Sequence, residues 1–122
     1  MMSARIDLRE RARAAAPTLD YDAALAEPAR LTWHGRMVNE HMSATVFEGL
    51  AEQLAELGFE AERVAQCRGF AAEERHHGVL CGAVVEALGG AALAPAPARD
   101  AFPRHPEVPP LEGLLRNLLS IC

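Results

Sequence analysis

From Pro28 to Leu57 the apolar positions step by three and four: Trp33, Met37, Ala44, Phe47, Ala51 and Leu54 fall on one stripe, and no proline interrupts them. This period predicts one helix of about thirty residues. Pro28 suits its first turn, where a missing N–H costs nothing, and Gly58 suits its end, where a left-handed residue closes a helix at least cost. A second helix is predicted from Glu60 to Leu88 on the series Cys67, Phe70, Val84 and Leu88, ending at Gly89-Gly90. Two helices of similar length joined by so short a turn must lie antiparallel.

The stretch after Gly89, GGAALAPAPARDAFPRHPEVPP, is too rich in proline to be helical for long, and it is long enough to run back along the hairpin as a crossover. A third helix is predicted to start near Leu111, with Leu111, Leu114, Leu115, Leu118 and Ile121 on its apolar stripe. That stripe stops at Cys122 without a cap or polar tail. The expectation is therefore a truncated chain or a helix whose apolar face docks on another chain. Residues 1–27 are set apart as a lead segment containing the short amphipathic piece IDLRERARAAA, and residues 28–122 are taken as one helical domain.

Composition supports this all-α reading: only 5% of residues are aromatic, alanine is abundant, and β-branched runs are absent. The 122 residues suffice for a single domain. A net charge of −5 is the wrong sign for tracking phosphates, so neither nucleic acid nor an anionic membrane is expected as a partner. The charged N-terminus and the lack of a long apolar run point to a cytoplasmic protein. Cys67, Cys81 and Cys122 are odd in number and widely spaced, which predicts reduced thiols rather than a disulfide framework or a zinc knuckle. Cys67 and Cys81 read as small apolar core residues.

Few polar residues interrupt the two long stripes, and those that do are informative. Glu40 is the one charged member of the first stripe; Glu74 and His77, three residues apart, interrupt the second. Glu40 lies seventeen residues before Leu57 and Glu74 seventeen after it, which puts both at the same height in an antiparallel hairpin. Carboxylates sent into an apolar seam are costly unless paired or bound to a cation. Oxygen-rich ligation with one imidazole favours iron, or manganese, over a structural zinc. The predicted metal ligands are Glu40, Glu74 and His77.

The segments NEHMSATVF around Glu40 and FAAEERHHG around Glu74 and His77 resemble the first half of the ferritin-like superfamily pattern, that of ferritins, bacterioferritins and rubrerythrins. The resemblance covers roughly residues 28–122. It implies a four-helix diiron carboxylate protein in which one helix gives a Glu and the next a Glu-x-x-His, with a second helix pair repeating the set. In that pattern Glu74 would bridge two metals, Glu40 and His77 would be terminal ligands, and the centre would activate dioxygen or peroxide as a ferroxidase or oxidase. The departure is that no second Glu-x-x-His follows before Cys122, and Glu112 sits too near the start of the third helix to substitute. A homo-oligomer, at least a dimer, is the expected means of completing the centre, unless the missing ligands lie beyond Cys122.

Other readings of the same residues stay open at this stage. Glu73 and His76 share the three-residue spacing, but their phase puts Gln66 and Gly69 on the core stripe. His41 and Glu48 form a further inward pair on a poorer stripe and read as surface charges or as neighbours of the ligands. His34 and His105 are expected to be isolated and exposed. The rival to the metal site is a cluster hydrogen-bonded across the helix pair, and the rival function is a metal-free helical module that offers its third helix to a protein partner.

Overall fold

The structure, a computed structural model, describes residues 5–96 and 102–121. Elements run β1 (Arg5–Asp7), α1 (Arg9–Ala15), α2 (Ala23–Glu56), α3 (Ala61–Ala87), β2 (Leu93–Pro95) and α4 (Pro110–Ile121). The protein is mostly helical, with α2 and α3 forming the expected antiparallel hairpin. Part of the proline-rich crossover (residues 97–101) and the Cys122 thiol lie outside the described residues. No described helix is long and apolar enough to cross a membrane.

Gly58 and Gly89 take positive φ values of 77° and 85°, so the two long helices stop where the sequence places their ends. The start of α2 differs from expectation. Asp22 caps it, its side chain accepting from the Ala24 N–H at 2.9 Å, and Pro28 sits inside the helix rather than in its first turn. A good N-cap at Asp22 outweighs the proline because Pro28 lies in an exposed early turn, where water can serve the Ala24 carbonyl that the ring leaves without a donor.

The segment before α2 joins the same core. β1 pairs antiparallel with β2, Ile6 opposite Ala94, and the Leu8 N–H donates to the Ala92 carbonyl at 2.9 Å. This two-stranded ribbon departs from a purely helical reading; Ile6 is its buried anchor, 2% exposed. α1 then packs on α3. Its approach is close because Gly82 carries no side chain: a Cβ there would stand 3.0 Å from the Ala92 Cβ and 3.4 Å from the Ala12 Cβ.

The buried line of α3 is Val64, Ala71, Gly78 and Val85, seven residues apart, flanked by Cys67, Cys81 and Gly82. Phe70 and His77, assigned to the core stripe by sequence, lie instead at its edge, Phe70 half-exposed. The reason is size: α1 and α2 pack so closely on α3 that its central line holds nothing larger than valine. Met37 and Cys81 belong to one core cluster with Ile6 and Ala12; Leu50, Cys67 and Leu114 belong to a second. Both cysteines are buried and reduced, and burial pushes their thiols up.

α4 buries Gly113, Leu114 and Asn117, while Leu111, Leu115, Leu118 and Ile121 remain between 38% and 53% exposed. Its apolar stripe is therefore only grazed by α2. Asn117 is the anchor: its side-chain amide donates to Gln53 Oε1 and to the Pro103 carbonyl, both at 2.9 Å, and its oxygen faces His105 Nε2 at 3.1 Å.

Candidate metal centre

Glu40 projects from the middle of α2 and Glu74 and His77 from the middle of α3. Their positions seventeen residues either side of Leu57 bring them to one level across the seam. One ligand atom from each of the three can be chosen so that all lie within 4.8 Å of one another. His77 Nδ1 stands 3.8 Å from Glu40 Oε2 and 3.6 Å from Glu74 Oε1. The carboxylates are part-buried, with side chains 32% and 22% exposed, and His77 is 50% exposed. The cluster is thus a rim site whose open side is His77's.

Two carboxyl groups this close resist joint ionisation. The Glu74 carboxyl is raised above its ordinary 4.5, first by a hydrogen bond with Glu40, then by burial and by the Glu40 charge, while His77 pulls it down. An isolated hairpin can relieve the crowding by sharing a proton; a divalent cation would relieve it more completely, with two anionic oxygens and a nitrogen ready to bind. The donor set fits iron or manganese in kind, but three side chains leave a first shell unfinished.

The floor under the cluster is buried and closely packed. Gly78 lies one residue beyond His77, where a Cβ would stand 3.9 Å from the Glu40 Cβ and 3.7 Å from the Met37 carbonyl oxygen, and Cys81 and Met37 close the interior side. Phe47 and Phe70, their ring centroids 5.5 Å apart, cap the seam toward the hairpin turn.

Neighbouring polar residues sort themselves around this group. Glu73 and His76 are exposed, and so is His77, while Glu74 is part-buried. Glu48 forms an ion pair with Arg75, and His41, part-buried beside Arg75, is pushed down by burial and by that positive charge. Arg75 was not singled out by sequence, yet it ties α3 to α2 next to Glu74. Glu112 is exposed and faces Arg116 at 3.5 Å on its own helix. His34 and His105 are not the isolated exposed residues expected: His34 Nε2 meets the Leu93 carbonyl at 2.8 Å, and His105 is part-buried against Asn117. The Gln53–Asn117–His105 network also escaped the sequence reading, although Asn117 follows Leu114 by three on an otherwise apolar face.

Comparison with protein-family models, with curated proteins and with solved structures gives no match.

Proposed function

We propose that this protein binds iron, or manganese, through Glu40, Glu74 and His77 as one helix pair's share of a dinuclear carboxylate centre, and that it acts on dioxygen or peroxide as a ferritin-like ferroxidase or oxidase. The observation that carries the reading is the convergence of two carboxylates and an imidazole from two helices within 4.8 Å. The bound metals would supply the redox chemistry with oxygen.

The chain's own residues prepare the site. The hydrogen bond with Glu40 favours the protonated form of Glu74, and a bound cation would favour the ionised one. His77 offers Nδ1 toward the carboxylates. Met37, Cys81 and Gly78, all buried, back the site from the interior, while the Phe47–Phe70 pair lies along the seam. Ligation demands that the carboxyl proton leave, so affinity should fall as pH drops.

Titration with Co(II) tests the reading through its visible absorption. A band that saturates and disappears in Glu74→Ala and His77→Ala supports it; no band in the wild-type chain refutes it. The second reading, a metal-free helical interaction module, draws support from the leucines that α4 leaves exposed. It predicts a Co(II)-silent protein.

A further inference from the structure

We infer that a second copy of this chain docks on the flank that carries the metal cluster, seated in an apolar groove beside it, so that two clusters face each other across a two-fold axis. The inference rests on the metal-site reading for its purpose, but on a separate surface for its geometry. A groove of about 330 Å³ runs beside the α2–α3 seam, floored by Phe47, Leu50 and Leu54 of α2 and walled by Phe59 and Phe70 on the α3 side and by Leu118 and Ile121 on the α4 side. Phe47 lies seven residues from Glu40, and Phe70 lies four from Glu74 and seven from His77, so groove and cluster share one flank of the hairpin.

The size of this face decides what it suits. Phe59, Phe70, Leu111, Leu115, Leu118 and Ile121 are 38% to 53% exposed. Leu111 and Leu115 continue the α4 flank on which Leu118 lines the groove. At about 200 Å² for Phe and somewhat less for Leu and Ile, complete burial of these six would remove at most about 1,000 Å² across a symmetric pair, the size at which a specific interface begins. An isologous contact uses the same face twice, so this one patch suffices for closure. It also answers the deficiency of the site: each copy brings two carboxylates and one imidazole, and the His77 side chain, 50% exposed, leaves the cluster accessible to a neighbouring chain.

Light scattering at tens of micromolar, followed by the electron paramagnetic resonance spectrum of the Mn(II)-loaded protein, tests this. The expected mass is twice 13.2 kDa, falling to 13.2 kDa in Phe70→Glu and in Leu115→Glu, with helical circular dichroism unchanged in at least one of them. The wild-type chain should give an exchange-coupled Mn(II) signal that the monomeric variant lacks. Glu74→Ala should remain dimeric, and a wild-type dimer that binds no Mn(II) would keep the interface while removing the metal reading. A wild-type monomer, a dimer indifferent to both substitutions, or a dimer holding only uncoupled Mn(II) would overturn the proposal.

Discussion

Glu40 and His77 stand 3.8 Å apart across the α2–α3 seam, joined by a hairpin whose turn is set by Gly58. With Glu74 also 3.6 Å from His77, the hairpin holds two carboxylates where one would be comfortable. The proposed chemistry follows from that crowding.

Crowding has a sign in pH. Glu74 titrates above 4.5 in the folded chain because a hydrogen bond with Glu40, partial burial and the Glu40 charge all favour its protonated form. Between 4.5 and the raised value the folded state binds more protons than the unfolded one, so the contribution to stability is fully present below 4.5 and is lost as pH rises through the folded value. Chelator-treated protein should therefore draw more stability from this pair at pH 5 than at pH 7, and Glu74→Gln should flatten that difference while raising the melting temperature at pH 7. Thermal melts across pH 4.5–7.5 decide it; a slope unchanged in Glu74→Gln would count against this raised value.

Glycine substitutions should divide by contact. Gly35 and Gly69 have nothing within 4 Å of a would-be Cβ, so Gly35→Ala and Gly69→Ala should each stabilise the helices by about 0.5–1 kcal/mol. Gly82→Ala would press on the Cβ atoms of Ala92 and Ala12 and on the Met37 sulfur, where overpacking costs about 1–3 kcal/mol and exceeds the propensity gain. Urea denaturation midpoints should separate the two groups in opposite directions.

How far the sequence could be read depended on residue size. Helix ends at Gly58 and Gly89, the burial of Cys67 and Cys81, and the common level of Glu40 and Glu74 all follow from period and punctuation. The buried line Ala71–Gly78–Val85 did not, because hydropathy ranks Phe70 above Ala71 and cannot register that α1 and α2 approach too closely for a large side chain. Pro28 misplaced the start of α2 because the cap at Asp22 lay upstream of the apolar period. The β1–β2 ribbon and the Asn117–Gln53 bond join residues more than sixty positions apart, which local pattern cannot supply.

The Asn117 network should hold α4 in place. Asn117 is 3% exposed and Gln53 5%, so Asn117→Leu would leave the Gln53 oxygen and the Pro103 carbonyl without their donor. A loss of about 1–3 kcal/mol is expected, with earlier amide exchange in α4 than in α3. Exchange rates that rise equally in both helices would mean that the network does not act locally.

The most direct test is metal analysis of protein loaded anaerobically with Fe(II) and freed of excess, comparing single alanine variants. The wild-type chain should retain one iron per chain, Glu40→Ala, Glu74→Ala and His77→Ala should each lose it, and Glu73→Ala and His76→Ala should keep it. An iron-free wild-type protein, or iron retained after removal of Glu74 or His77, would contradict the metal centre.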